Sequence, residues 1–185
     1  FKRLILPVPT AKHLQHIQHG MLHSASDSIP CVRWMSAEAH CYQGAEARCY
    51  QGAEIRRYRD SIYAMSPLPM HDANISLVWD MREPLALPGV GAFRATPTIG
   101  EGINASLLPG NLATVKFRQG GERCRPVGRG HTHELRKLFQ EQGIPPWQRE
   151  RLPLIYIGGE LAAVAHLWVC EPFQAMPNEP GIVVG

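Results

Sequence analysis

The chain has 185 residues and a mass of 20.6 kDa, and 44% of its residues are hydrophobic and 19% charged. This composition is typical of a globular protein with a hydrophobic core, and it excludes long disordered, collagen-like and coiled-coil proteins. No apolar run reaches the roughly 18 residues that a membrane-spanning helix needs, so we expect no membrane partner.

The chain begins at Phe1 without a Met, and residues 1–9 do not have the pattern of a signal peptide. We therefore expect it to be a piece of a longer protein. The number of cysteines is odd, no CxxC pair occurs, and the spacing is irregular, which argues against a disulfide scaffold and predicts a reducing, cytoplasmic location. The five positions are Cys31, Cys41, Cys49, Cys124 and Cys170.

The first predicted element is an amphipathic helix that begins after Thr10. Leu14, Ile17, Met21 and Leu22 form one apolar stripe along about 12–15 residues. The same segment carries four histidines, of which two are spaced i, i+4, as metal ligands on one helix face can be. Because no HExxH glutamate accompanies them, we interpret them as polar-face residues, and a metal-dependent hydrolase is kept only as an alternative.

A short repeat follows the helix. Residues 41–48 (CYQGAEAR) and 49–56 (CYQGAEIR) are identical at seven of eight positions, which indicates a local tandem duplication rather than a solenoid repeat. Ile55 replaces Ala47 in the second copy, so we predict that the second copy forms the strand. A turn at Asp60-Ser61 then completes a hairpin with residues 62–65, and residues 66–72 form a linker.

Short strands alternating with turns are predicted beyond this linker. The strand segments are residues 75–79, 92–95, 103–108, 113–118, 154–157 and 160–169. One helix is predicted among them, with Thr132 as its N-cap, Leu135, Leu138 and Phe139 as its apolar stripe, and Gly143 as its end.

These patterns predict an α+β fold. An N-terminal helix and β-hairpin unit in residues 1–72 precedes a small α+β domain with an antiparallel or mixed sheet in residues 73–185. The patterned part of that domain spans roughly residues 74–172.

The net charge of +3 is unevenly distributed. Residues 115–151 hold nine basic and four acidic side chains, a net +5, whereas residues 152–185 carry three Glu and no cation. Most of these cations are Arg, whose planar guanidinium matches phosphate oxygens, and an exposed Trp can stack on a base. The predicted contacts to an anionic partner are Arg118, Arg123, Arg125, Arg129, Arg136, Lys137, Trp147, Arg149 and Arg151.

No self-sufficient catalytic motif occurs in the sequence. GxSxG, Walker A and GxGxxG patterns are all missing from it. We therefore predict no catalytic, cofactor-binding or metal-binding residues in this chain.

The basic block resembles a known family. Residues 115–123 (VKFRQGGER), 143–149 (GIPPWQR) and 163–168 (AVAHLW) are similar, in order and spacing, to the C-terminal domain of tRNA(Ile)-lysidine synthetases. The resemblance implies an enzyme that uses ATP to adenylate the wobble cytidine of an isoleucine tRNA and then joins lysine to it. It also implies that ATP and lysine are used by a catalytic N-terminal domain that these residues do not include.

By this resemblance, the chain is the tRNA-recognition part, expected to bind the acceptor-stem end, to contact its own catalytic domain, and to belong to a possible homodimer. The alternative is a structural or protein-interaction module that docks on its own catalytic domain through the same basic face.

Overall fold

The computed structural model describes residues 6–24, 28–35 and 52–185. It divides into two compact units, Phe1–Pro69 and Met70–Gly185. A few helices and several antiparallel sheets make up the described residues, so the predicted α+β class is confirmed. No helix in these residues is long and apolar enough to cross a membrane.

The first unit packs one helix on a three-stranded sheet. Its elements are α1 (Ala11–Leu22), β1 (Cys31–Met35), β2 (Gly52–Tyr58) and β3 (Ser61–Met65). The sheet is antiparallel with the order β1-β2-β3, and α1 contacts β1 and β2. The strand β1 was not predicted from the sequence.

The helix α1 begins where the sequence predicts. The Thr10 hydroxyl accepts from the His13 backbone N–H, and His13 Nδ1 accepts in turn from the Thr10 backbone N–H at 3.3 Å, which together form a capping box. Of the predicted apolar stripe, Met21 is buried, whereas Leu14 and Leu22 are 53% and 65% exposed. The helix therefore buries a narrower face than its periodicity suggests.

The predicted hairpin of the second repeat copy is confirmed from Gly52 onward, but its turn lies at Arg59-Asp60 and not at Asp60-Ser61. β2 pairs with β3 so that Tyr58 lies opposite Ser61, and Arg59 adopts the left-handed conformation in the turn, with φ of 54°. The first copy (41–48) and the start of the second copy (49–51) lie outside the described residues.

The second unit is richer in strands. Its elements, in chain order, are β4 (Ser76–Asp80), β5 (Leu85–Leu87), β6 (Gly91–Phe93), β7 (Ala95–Ile99), β8 (Ile103–Asn104), β9 (Leu112–Lys116), β10 (Arg123–Cys124), β11 (His133–Glu134), α2 (Leu135–Glu141), α3 (Pro146–Arg149), β12 (Leu154–Ile157), β13 (Glu160–Val164), β14 (Trp168–Val169) and β15 (Pro180–Val184). β14, β13, β12, β9 and β4 form a five-stranded sheet in that order, and β15 lies between β7 and β8 in a second sheet. β5 pairs with β6, and β10 with β11.

The core of this unit is one buried cluster to which α2, the five-stranded sheet and the sheet of β7, β15 and β8 all contribute. Leu135, Leu138 and Phe139 are fully buried, which confirms the predicted apolar stripe, and they belong to one cluster with Val115 and Phe117 of the β9 segment. In α2, Leu138 and Phe139 are buried, whereas the next residue, Gln140, is exposed. The polar side of α2 therefore faces away from this core.

Several predictions for this unit are wrong at their boundaries. Residues 92–95 do not form one strand, because β6 ends at Phe93 and β7 begins at Ala95. Thr132 does not cap α2, because His133 and Glu134 pair with β10 and the helix begins directly after them without a side-chain cap. Residues 103–108 form a strand only at Ile103–Asn104, since the Asn104 side chain accepts from the Ser106 N–H at 2.9 Å and starts a 3-10 turn.

The closing segment 160–169 also differs from its prediction. It is split into β13 and β14 by a turn in which Ala165 has φ of 42°. The unit then continues through β15, beyond the predicted end of the patterned region near residue 172. Gly143, by contrast, follows the C-cap of α2 with φ of 69°, as a helix-ending glycine should.

Candidate nucleic-acid interface

Three exposed cations lie around the junction of β10, β11 and α2. Arg123 pairs in register with Glu134, the last residue of β11. The helix α2 starts at the next residue, and the Leu135 N–H donates to the Glu122 carbonyl at 2.9 Å. Arg136 and Lys137, in the first turn of α2, are thereby held close to the β10 strand, and all three side chains are exposed.

Within residues 52–185, which the structure describes without a gap, these three cations are not ion-paired, although Glu134 lies opposite Arg123 in the β10–β11 ladder. Their charge is therefore available to an external anion. We call Arg123, Arg136 and Lys137 the open cation group.

A glutamate organises the turn that precedes this group. Glu122 Oε1 accepts from the backbone N–H groups of Gln119 and Gly120 at 2.5 and 2.9 Å. Its other oxygen, Oε2, lies 3.6 Å from Arg118 Nε. Arg118 is thus partly neutralised by the residue that shapes the Gly-Gly turn.

Two further predicted contacts, Arg125 and Arg129, form ion pairs with glutamates of the same unit. Arg125 Nε lies 2.7 Å from Glu171, and Arg129 Nη1 lies 2.5 Å from Glu141. Both pairs are partly exposed, so they are weak and easily exchanged for another anion. Arg125 and Arg129 can reach an external phosphate only in competition with these carboxylates.

The last three predicted residues lie deeper than expected. Trp147 is 5% exposed, and Arg149, which the sequence suggested would be exposed, is 7% exposed with its Nε donating to the Ile144 carbonyl at 2.6 Å. Arg151 is half-buried, and its Nη1 donates to the Gly89 carbonyl at 2.8 Å. These two hydrogen bonds tie α3 (Pro146–Arg149) and the residues after it to the rest of the unit.

Lys116 was counted in the basic block but not singled out as a contact. It is exposed on β9, with its Nζ 5.4 Å from the centre of the Tyr156 ring. The alternation of β9, which buries Val115 and Phe117, was the signal that places Lys116 on the outer face.

Among the described residues, no metal-binding cluster supports the alternative of a metal-dependent hydrolase. His19 and His23 stack with ring centres 5.3 Å apart and an angle of 6° between the rings. Within residues 6–24, 28–35 and 52–185, no group of three or more His, Cys, Asp or Glu side chains could hold a metal ion.

Two families of related domains match the chain. The family described as the TilS substrate binding domain matches residues 1–63, and the TilS substrate C-terminal domain matches residues 113–185. Together these two matches account for most of the sequence.

Named relatives agree with these matches. The chain is 38% identical over 175 residues to the tRNA(Ile)-lysidine synthase of Coxiella burnetii, covering 94% of this chain and 35% of the relative. The corresponding enzyme of Methylococcus capsulatus is 33% identical over 180 residues, covering 97% and 37%. That of Alkalilimnicola ehrlichii is 40% identical over 177 residues, covering 93% and 35%.

The chain thus spans about a third of the length of the curated relatives it matches. Among solved structures, a TilS C-terminal domain crystal structure is similar at 23% identity, with a TM-score of 0.47, over 60% of this chain and 95% of that one.

Proposed function

Since the chain belongs to the tRNA(Ile)-lysidine synthase family, we propose that it is the part of such an enzyme that recognises the substrate tRNA. In this proposal the complete enzyme is a ligase that uses ATP to join lysine to the wobble cytidine of an isoleucine tRNA. ATP and lysine are bound by a separate catalytic domain, and the residues described above supply binding rather than chemistry.

The observation that carries the proposal is the open cation group. Arg123, Arg136 and Lys137 are exposed, lie on the connected elements β10 and α2, and form no ion pair with a carboxylate in residues 52–185. Their positions do not serve the helix, because cations are disfavoured near a helix N-terminus. Duplex RNA is contacted mainly through phosphates and 2′-hydroxyls, for which such side chains are suited.

The acceptor-stem end is the proposed target. An enzyme that modifies the anticodon must still distinguish tRNAs with similar anticodon loops, and contacts far from the reaction provide that discrimination. Contacts to the backbone of a paired stem need cationic side chains but no aromatic side chain that reads a base. Trp147 is buried, so no stacking on an unpaired base is assigned to it.

Binding of isoleucine tRNA to the 185-residue chain tests this proposal. Replacing Arg123, Arg136 and Lys137 together by Ala should weaken binding at least about tenfold, since each lost phosphate contact removes an electrostatic contribution. Arg94→Ala, an exposed arginine of the same unit outside the basic block, is the matched control and should leave the affinity unchanged.

The same variants distinguish tRNA binding from the alternative that the basic face docks on the enzyme's own catalytic domain. If the basic face binds the enzyme's own catalytic domain, the triple variant loses that association while its affinity for tRNA equals that of the unmodified chain. An isolated acceptor-stem hairpin should compete with the whole tRNA, and an anticodon stem-loop should not.

A further inference from the structure

Two buried cysteines face each other within the second unit. Cys124 in β10 and Cys170 after β14 are 1% and 4% exposed, and their Sγ atoms lie 2.6 Å apart. Non-bonded heavy atoms normally approach to about 3.5–4.0 Å, whereas bonded sulfurs lie about 2.05 Å apart. The backbone therefore brings the two thiols into direct contact.

Backbone pairing fixes this juxtaposition. The Val127 N–H donates to the Val169 carbonyl at 3.2 Å, and the Glu171 N–H donates to the Arg125 carbonyl at 2.8 Å. These bonds form an antiparallel bridge centred on Pro126 and Cys170. Because side chains alternate along a strand, Cys124 lies on the same side of its segment as Pro126 and is the diagonal neighbour of Cys170.

The surroundings distinguish the two sulfurs. The hydrogen bond with Cys124 lowers the pKa of Cys170, burial opposes this effect, and a hydrogen bond with the Arg125 backbone adds to the lowering. The hydrogen bond to Cys170 and burial raise the pKa of Cys124. The lowered pKa of Cys170 favours it as the attacking thiolate.

We propose that Cys124 and Cys170 are a reversible disulfide site that closes when the protein meets a small-molecule disulfide such as oxidised glutathione. The Cys170 thiolate attacks one glutathione sulfur, forming a mixed disulfide and releasing one glutathione thiolate. Cys124, on losing its proton, then attacks Cys170 Sγ and releases the second. The protein loses two electrons and two protons, and one oxidised glutathione becomes two reduced ones.

The bond would add a covalent link between segments that belong to different sheets and are already joined by the bridge of Pro126 and Cys170. β10 belongs to a two-stranded sheet, whereas Cys170 is anchored to β13 of the five-stranded sheet through its N–H to the Ala162 carbonyl, at 2.8 Å. Oxidation would thus fix the strand that carries Arg123 to the main sheet. Because both thiols are buried, the reaction requires local opening of this segment.

Mass spectrometry of the whole chain tests the site. After incubation with excess oxidised glutathione, unfolding and alkylation, we expect a peptide cross-link between Cys124 and Cys170, with a mass lower by two hydrogens. The melting temperature of the oxidised protein should rise by roughly 10 °C, as a disulfide closing a loop of this length allows. Dithiothreitol should reverse this rise. Quantitative alkylation of both residues in protein so treated would overturn the proposal.

Variants identify the attacking sulfur and the competing thiols. In Cys124→Ser, glutathione should remain attached to Cys170; attachment only at the exposed Cys31 contradicts the assignment. A chain with Ser at positions 31, 41 and 49 keeps only the proposed pair and should form the cross-link at an unchanged rate. If Cys124→Ser does not fold, the cross-link in the unsubstituted chain decides the question.

Discussion

At the scale of single residues, Glu54 is a buried carboxylate of the first unit that forms two ion pairs. Its side chain has no exposed surface, and its carboxylate accepts from Arg33 at 2.7 Å and from Arg56 at 3.0 Å. Strand geometry explains the arrangement, because Arg33 lies directly opposite Glu54 and Arg56 is two residues along the same face. The Glu54 carboxylate thus supplies counter-charge to both Arg33 and Arg56.

Glu54→Gln should therefore destabilise the first unit by about 3 kcal/mol, since removing one partner of a buried ion pair leaves the other charges uncompensated. Hydrogen exchange should show protection lost mainly in β1, β2 and β3. Asp80→Asn is the matched control, because the Asp80–Arg82 pair is exposed and should change stability by less than about 1 kcal/mol. Equal effects of the two substitutions would refute a special role for Glu54.

Arg149 is the residue for which a structural and an RNA-binding role are most easily told apart. Replacing it by Ala removes the bond from its Nε to the Ile144 carbonyl and should cost about 2 kcal/mol of stability. Under conditions where the variant is folded, its tRNA affinity should equal that of the unsubstituted chain. A selective loss of binding with unchanged urea unfolding would show that Arg149 reaches the RNA instead.

At the scale of elements, the sheet formed by β7, β15 and β8 depends on close backbone approach. A Cβ added to Gly181 would lie 1.9 Å from the Glu101 carbonyl oxygen, and one added to Gly102 would lie 2.2 Å from that of Ile182. Gly102 also has φ of 80°, which favours glycine. Only residues without side chains allow β15 to lie between its neighbours in this register.

Gly181→Ala should consequently lower the free energy of unfolding by at least about 2 kcal/mol, because a backbone atom must move to relieve the clash. Gly130→Ala is the comparison: a Cβ there meets no atom within 4 Å, and the change should stay within about 0.5 kcal/mol. Urea unfolding of the two variants measures both effects. Wild-type stability in Gly181→Ala would mean that β15 packs differently.

Local patterns predicted those elements whose signals are local. The apolar spacing of α2, the glycine that ends it and the hairpin of β2 and β3 depend on neighbouring residues, and the structure has them. Thr132 was misassigned as a cap because the pairing of β11 with β10 is not visible in a helical pattern. β15 was missed because its pairing partners, β7 and β8, lie some eighty residues earlier in the chain.

At the scale of the whole molecule, the basic block of residues 115–151 contains the open cation group, cations that form ion pairs, and buried cations. The sequence located the block and the exposed members of the open cation group. It could not show that Glu122, Glu141 and Glu171 neutralise other members, since those pairs depend on tertiary geometry. Nor could it show that the side chain of Arg149 turns inward after the two prolines.

Removing the ion pair between Arg129 and Glu141 is predicted to tighten the binding of tRNA. Glu141→Gln removes the carboxylate that competes with phosphate for Arg129, so tRNA affinity should rise severalfold at low salt. Because the pair is partly exposed, stability should change by less than about 1 kcal/mol. In a chain that also carries Arg129→Ala, the gain should disappear; a gain that persists would assign it to another cation.

The most direct test of the central claim is the salt dependence of tRNA binding. The logarithm of the affinity for isoleucine tRNA, plotted against the logarithm of salt concentration, has a slope set by the number of phosphate contacts, about 0.7–0.9 for each. Replacing Arg123, Arg136 and Lys137 by Ala should make that slope shallower by about two to three units, while Arg94→Ala leaves it unchanged. Identical slopes for the triple variant and the unsubstituted chain would contradict the account.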